Sequence, residues 1–151
     1  MNGREDSKLN DLFFVCSLIE YIARQTKNRR AVVVNAIGKE RWEHIYELAE
    51  VYHSENMDKL TYELTTKYHI ETGTYDNVAE AESSIPTHWD IGKVYQRLIH
   101  DVVRNEHKTP VDALMEVFNS WIVGKIDNYN SSMYYENPSY LYASYQEGRP
   151  L

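Results

Sequence analysis

The sequence predicts an all-α fold, a compact bundle of six or seven helices that ends in a tyrosine-rich strap and a short helix. Apolar residues recur at three- and four-residue spacing along most of the chain, which is the pattern of amphipathic helices. Residues that favour helix starts and ends stand between these apolar segments. With 151 residues, of which 42% are apolar, the chain is also long enough to bury one core.

The first part of the chain is predicted to hold three closely spaced helices. The first covers about residues 10–26 and follows a polar segment, residues 1–8, that is expected to be a flexible N-terminus. The run AVVVNAIG is too short and β-branched to classify by spacing, and the helical signals on both sides favour a short helix that ends at Gly38. A strong helix follows over residues 39–52, with a stripe of glutamates on its solvated face.

A turn-rich segment separates these helices from the second half of the chain. Ser54 is expected to cap a helix that reaches about residue 69. Residues 72–86 contain ETGTYDN and the low-complexity stretch AEAESS, and they are a candidate subdomain boundary. Both halves are small for independent folding, so a single helical domain over residues 9–151 is predicted.

Capping residues mark the helix starts of the second half. Thr87, with Asp90 three residues later, predicts the start of an amphipathic helix that reaches about residue 104. Thr109 followed by a proline predicts a broad, central helix that continues to residue 126. The Asn-Pro pair at residues 137–138 opens a short last helix that Gly148 closes.

Composition limits the compartment and the partners. The only cysteine, Cys16, lies in an apolar run, so no intrachain disulfide can form and a reducing, cytoplasmic location is predicted. No apolar stretch is long enough to span a membrane, and no signal peptide is recognised. The net charge is −7, which favours a protein partner with a basic surface over nucleic acid, and a homo-oligomer is a further option.

One histidine-carboxylate pair is a candidate chemical site. Glu50 and His53 form an E-x-x-H pair, but a di-iron bundle needs two such pairs and two more glutamates. Neither a metal nor a cofactor is therefore predicted. The sequence also lacks the glycine-rich phosphate loops of nucleotide-binding folds. A small enzyme or nucleotide-binding protein is kept as the second hypothesis, with a polar pocket formed by Glu50, His53, Lys93 and Arg97.

A nucleic-acid-binding regulator is the third hypothesis. The short helix, the turn at Gly38 and the helix after it resemble a helix-turn-helix, and Lys27, Arg29 and Arg30 form the only basic cluster. The second helix of that pair carries a glutamate stripe that would repel phosphates. Nucleic acid is therefore not the expected partner.

The segment NYNSSMYYENPSYLYASYQ holds six of the thirteen tyrosines and one charged residue. A solvated tail would carry charge and few aromatic residues, so this segment should pack on its own domain or on another molecule. Leu141 and Tyr145 lie four residues apart on the last helix and can dock together on the domain. The remaining tyrosines are the candidate partner-binding residues: Tyr134, Tyr135, Tyr140 and Tyr142.

Three segments of the N-terminal half carry a resemblance: FFVCSLIEYIA, NAIGKERWEHIYELAEVYH and MDKLTYEL, with matching positions at Phe14, Ile19, Glu20, Gly38, Tyr46, Val51, His53 and Glu63. In these segments the chain resembles a family of small uncharacterised bacterial proteins found beside ADP-ribosyltransferase-like toxins. The whole chain is similar to other uncharacterised bacterial proteins of the same length. The resemblance implies a toxin-antitoxin type of locus and an ADP-ribosyltransferase-like toxin as partner, and it supplies no catalytic residues.

These observations favour a non-catalytic protein-protein interaction protein. The leading hypothesis is an antitoxin or an accessory component of a toxin-antitoxin or defence-type locus. Its acidic surface would complement a basic partner, and the tyrosines of the C-terminal segment would supply affinity.

Overall fold

The computed structural model describes residues 3–151, with side chains from residue 7 onward, and within this range it contains helices and no strand. The predicted all-α fold class is confirmed. The helices are α1 (Gly3–Thr26), α2 (Arg30–Ile37), α3 (Lys39–Glu47), α4 (Ala49–Tyr52), α5 (Met57–Lys67), α6 (Asn77–Glu80), α7 (His88–Glu106), α8 (Pro110–Phe118), α9 (Ile122–Ile126) and α10 (Pro138–Glu147). A 3-10 turn, Met133–Tyr135, precedes α10.

The two longest helices, α1 and α7, form the centre of the bundle and lie antiparallel. The ring of Tyr21 lies 5.0 Å from that of His88 at the start of α7. Towards the other end, Gln96 Nε2 donates to the Leu9 carbonyl at 3.2 Å. The other helices pack around this pair, because each buries an apolar stripe against it or against a neighbour in one continuous core.

Helix starts that were predicted from caps are largely confirmed. Thr87 and Asp90 form a reciprocal capping box on α7, and Thr109 caps α8 in front of its proline. Gly148 ends α10 in the left-handed conformation. The predicted cap at Ser54 is wrong: Asn56 caps α5 instead, with its side-chain oxygen 2.7 Å from the Asp58 backbone nitrogen.

Two segments predicted as single helices are each divided in two, and the short helix α6 lies in the segment predicted as turn-rich, so the described residues contain ten helices rather than six or seven. The predicted helix over residues 39–52 is interrupted at Leu48, and the one over residues 110–126 is interrupted between α8 and α9. At the second break, Asn119 Nδ2 donates to the Met115 carbonyl at 2.8 Å, and Ser120 Oγ donates to the Val117 carbonyl at 2.7 Å. At the end of α8, the Asn119 side chain donates to the Met115 carbonyl, and the Ser120 hydroxyl adds to the hydrogen bond that the Ser120 backbone nitrogen donates to the Val117 carbonyl.

The first helix is longer than predicted. It begins at Gly3 rather than near residue 10, so residues 3–8 of the predicted flexible N-terminus belong to α1. Residues 1 and 2 lie outside the described range. Among the described residues, no helix combines the length and the apolar character that a membrane span requires.

Backbone hydrogen bonds connect the candidate boundary segment, residues 72–86, to the first half of the chain. The backbone nitrogen of Gly73 donates to the Thr26 carbonyl at 2.8 Å, and that of Tyr75 donates to the Lys27 carbonyl at 2.9 Å. The hydrophobic core continues across this segment, with residues from both halves in one cluster.

Candidate functional site

A sealed cluster of charged side chains anchors the C-terminal segment to the bundle. Arg30 donates to both carboxylate oxygens of Glu20, at 2.8 Å from Nε and 2.6 Å from Nη2, and both residues are fully buried. The hydroxyl of Tyr129 donates to the same carboxylate. Burial raises the pKa of Glu20, but Arg30 and Arg24 outweigh it and hold this pKa at about 2.

Asp127 extends the cluster to α9. Its carboxylate accepts from the Tyr95 hydroxyl at 2.8 Å and lies 3.5 Å from Arg30 Nε. Burial, assisted by the charge of Glu20, raises the pKa of Asp127 to about 7 against the opposing effect of Arg30. Because Glu20, Arg30 and Asp127 are all buried, the cluster connects α1, α2 and the end of α9 inside the protein.

The same cluster corrects the predicted basic patch. The sequence places Lys27, Arg29 and Arg30 together, but Arg30 is fully buried and pairs with Glu20. The guanidinium of Arg29 lies 4.4 Å from the centre of the Tyr75 ring. The support that this basic cluster gave to nucleic-acid binding is therefore reduced.

The strap, which comprises residues 130–136, places two of the predicted partner-binding tyrosines towards the surface. The ring of Tyr134 packs edge-on against Tyr129, with centroids 5.7 Å apart, and Tyr135 packs at 90° against Tyr134 at 4.9 Å. Tyr129 is buried and Tyr134 is half-buried, whereas Tyr135 is 68% exposed. The row of rings therefore leads from the buried cluster to the surface.

The tyrosines of α10 are held by the chain itself. The Tyr140 hydroxyl donates to the Leu151 carbonyl at 2.7 Å, and the Tyr142 hydroxyl donates to Glu106 at 3.4 Å. Tyr145 is half-buried and donates to Glu116, and Leu141 is buried as expected. Tyr140 and Tyr142 of the predicted interface thus already have hydrogen-bond partners within the protein.

A cleft of about 560 Å³ opens between α7, the strap and α10; we refer to it as the α7 cleft. It brings together residues from both site predictions, because Lys93 and Arg97 on α7 face Tyr134 and Tyr135 on the strap. The remaining lining residues are Ser84, Ile85, Pro86, Asp90, Val94, Leu98, Glu136, Pro138 and Leu141.

The two cations of the α7 cleft differ in their surroundings. Among the side chains of residues 7–151, neither Lys93 nor Arg97 makes an ion pair. Lys93 lies on the Phe13 ring, with Nζ 5.4 Å from its centre, and Arg97 is exposed. The Asp90 carboxylate accepts from the Thr87 backbone nitrogen at 2.9 Å as part of the capping box.

The other two residues of the predicted polar pocket lie elsewhere. His53 packs against Phe14 with ring centroids 4.5 Å apart, whereas Phe13 packs against Trp89 of α7 at 5.6 Å. Successive residues of a helix point about 100° apart, so His53 and Lys93 contact different sides of α1. Glu50 and His53 do not line the α7 cleft. Within the described residues, no group of three or more His, Cys, Asp or Glu side chains is arranged to hold a metal ion.

Ile85 and Glu136 are lining residues that sequence reasoning missed. Ile85 is 47% exposed and directly precedes Pro86, which restricts it to an extended conformation. The sequence could have indicated Ile85, because it is an apolar residue that a following proline holds in an extended conformation. Glu136 is the one charged residue of the tyrosine-rich segment.

Comparison of this chain with known proteins finds no matching family model, no matching curated protein and no matching solved structure.

Proposed function

We propose that this protein is a non-catalytic binding protein that recognises a segment of a protein partner in the α7 cleft. The observation that carries the proposal is the meeting of Lys93 and Arg97 with Tyr134 and Tyr135 around one cavity of about 560 Å³. Apolar walls with a few charged groups are typical of recognition sites, and tyrosine gives a large contact area at low entropic cost.

The charges of the cleft favour a protein segment over a nucleotide. Lys93 and Arg97 are balanced by Asp90 and Glu136, so the lining has no net charge. A di- or triphosphate would meet two carboxylates as well as two cations, whereas a polypeptide can place single charges against each. The exposed side chains of Ile85 and Tyr135 supply the apolar contact that such a segment would bury.

The acidic surface suits the class of partner that the sequence resemblance implies. The net charge is −7, and a basic partner such as an ADP-ribosyltransferase-like toxin would be attracted to it. An antitoxin or accessory role is therefore the proposed biological setting.

An unbiased peptide selection tests the proposal. Random dodecapeptides displayed on phage are selected on the full chain, and the enriched peptides are then measured against the double variant Ile85→Ala/Tyr135→Ala. We expect these peptides to bind the full chain and to lose at least about tenfold in affinity on the variant, because two apolar walls of the cleft are removed.

Tyr62→Ala is the matched control, since Tyr62 is 71% exposed and does not line the α7 cleft. Thermal unfolding of both variants shows whether they remain folded. Peptides that bind the double variant and the full chain equally would contradict the proposal.

A further inference from the structure

We infer that the segment bound in the α7 cleft is an extended, acidic peptide that carries two carboxylates two residues apart and a large apolar side chain beside them. The inference rests on the proposed function, and it specifies the chemistry of the bound segment only; the rest of the partner is the basic protein that the net charge of −7 favours. Four observations support it: the spacing of two cations, the placement of two carboxylates, the apolar floor and an unpaired stretch of backbone.

The spacing of the cations matches an extended chain. Lys93 and Arg97 are four residues apart on α7, so they lie one above the other and about 6 Å apart along the helix axis. Side chains at positions i and i+2 of an extended peptide point to the same side and are about 6.8 Å apart. Two acidic residues with one residue between them can therefore face both cations together.

The two acidic groups of the cleft repel the peptide carboxylates from their own positions. Asp90 lies one turn before Lys93 on the same helix and is engaged in the capping box, and Glu136 belongs to the strap. Carboxylates of the ligand are attracted to the turn of α7 between Lys93 and Arg97 and repelled from both of these positions. A dense polyanion would reach all four groups at once, which argues for the discrete charges of a peptide.

The floor of the cleft is apolar. Val94, Leu98 and Leu141 line it, while Ile85 and Tyr135 extend from its walls with 47% and 68% of their surface exposed. Leu98 and Leu141 are already buried, so an apolar anchor from a partner would mainly cover the exposed surface of Ile85 and Tyr135. Removal of such surface from water contributes about 25 cal/mol per Å² before the costs of association.

The edge of the cleft offers unpaired backbone. The nitrogens of Ser84 and Ile85 donate no hydrogen bond to any group of residues 7–151, and both residues are exposed. Pro86 follows Ile85 and restricts that residue to an extended conformation. An extended peptide laid along this edge can accept main-chain hydrogen bonds from it, which is how strand-addition sites gain affinity.

Defined peptide pools test the inference on the full chain. The acidic pool contains fluorescein-labelled decapeptides with two aspartates separated by one variable residue, and a leucine or tryptophan two positions later. The basic pool has lysines in place of the aspartates, the polar pool has serine in place of the apolar anchor, and the adjacent pool has neighbouring aspartates. Binding is measured by fluorescence polarisation at two salt concentrations.

We expect the acidic pool to bind at least about tenfold more tightly than the basic and polar pools, and less tightly as salt increases. The adjacent pool should bind several-fold less tightly, because neighbouring side chains of an extended chain point to opposite sides. Arg97→Glu should reverse the preference towards the basic pool. Lys67→Glu is the matched control with the same charge change on α5, and it should leave the preference unchanged.

The outcomes separate this inference from the proposed function. Peptides that depend on the cleft in the phage selection but carry no acidic residues would overturn the inference and leave the proposed function standing. Equal binding of the acidic and basic pools, or displacement of the acidic pool by inorganic triphosphate at the same concentration, would also overturn it. Selected peptides that bind independently of the cleft would overturn both.

Discussion

Gly92 lies where α7 approaches α1 most closely, and it shows how one residue sets the spacing of the central helix pair. A Cβ atom added at Gly92 would lie 2.0 Å from Ser17 Oγ and 2.9 Å from Ser17 Cα. Ser17 is fully buried, and its hydroxyl has no hydrogen-bond partner among the described residues. The two helices are therefore in close contact through a glycine of α7 and a serine of α1.

We expect Gly92→Ala to destabilise the protein, because the added methyl group collides with a backbone atom of α1 that cannot rotate away. Overpacking of this kind costs about 1–3 kcal/mol. Gly124→Ala is the matched control, since a Cβ atom at Gly124 would meet nothing within 4 Å. That change should stabilise helix α9 by about 0.5–1 kcal/mol. Urea unfolding measures both, and a Gly92→Ala variant as stable as the parent would contradict the prediction.

The candidate site was only partly predictable at this scale. The aromatic, nearly uncharged composition of the C-terminal segment was sufficient to name Tyr134 and Tyr135. It was not sufficient to separate them from Tyr142, whose hydroxyl donates to Glu106 on α7. That partner is 36 residues away in sequence, so local sequence carries no signal for the contact.

At the scale of helices, starts were more predictable than interruptions. A cap such as Thr87 depends on a residue only three positions away, so the sequence alone shows both members of the capping box. The interruption after α8 is different, because Asn119 also exchanges hydrogen bonds with Asn35 of α2, at 2.7 and 3.0 Å. Contacts between helices that are distant in sequence therefore determine where α8 ends. The apolar pattern of the sequence does not show this end, because it continues past it.

The buried cluster connects elements that are far apart in sequence, and it predicts an unusual dependence of stability on pH. The pKa of Asp127 is raised from 3.8 to about 7, so between these values the folded protein holds a proton that the unfolded chain has lost. The free energy of unfolding contributed by Asp127 therefore falls as the pH rises from about 4 to about 7. The lowered pKa of Glu20 acts in a separate range and removes stability as the pH falls from about 4.5 towards 2.

The Asp127 prediction is tested by urea unfolding of the parent and of Asp127→Asn at pH 5, 6 and 7. The lowered pKa of His88 contributes the opposite slope in this range, so the difference between the two proteins is the informative quantity. We expect the advantage of the parent over Asp127→Asn to shrink from pH 5 to pH 7. Glu147→Gln, an exposed change on α10, serves as the control. A difference that is constant with pH would refute the raised pKa.

For the whole molecule, the C-terminal strap and α10 are part of the fold as well as a wall of the α7 cleft. Tyr129, Met133 and Leu141 are buried members of the single hydrophobic core. The hydroxyl of Tyr129 also contributes to the Glu20 cluster. The sequence left open whether the tyrosine-rich segment packs on its own domain or on a partner, because both uses require the same aromatic composition. The structure places its two ends on the bundle and exposes the ring of Tyr135 between them.

We therefore expect truncation after Asn128 to abolish cooperative unfolding. The deletion removes three core residues, of which Tyr129 also donates a hydrogen bond to Glu20, and it opens the cluster around Glu20 and Arg30 to water. Truncation of a single large core side chain typically costs about 2–5 kcal/mol. Thermal melting followed by near-UV circular dichroism measures the loss of fixed packing. Truncation after Gly148 is the control, because residues 149–151 are exposed and this change should lower the melting temperature only slightly.

Tyr129→Phe distinguishes the hydrogen bond from the packing. This variant keeps the ring and removes the hydroxyl, which donates to Glu20 and accepts from Arg24 at 3.1 Å and from Arg30 at 3.4 Å. Loss of a hydrogen bond to a charged group costs about 1.5–3 kcal/mol. We expect it to melt cooperatively at a lower temperature than the parent. Its loss of stability should be larger than that of the chain truncated after Gly148 and smaller than that of the chain truncated after Asn128.

If the chain truncated after Asn128 melted as cooperatively as the parent, the strap would be separable from the bundle. The α7 cleft, which needs Tyr134, Tyr135 and Leu141 in fixed positions, would then lack a rigid wall, and peptide binding would have to depend on α7 alone.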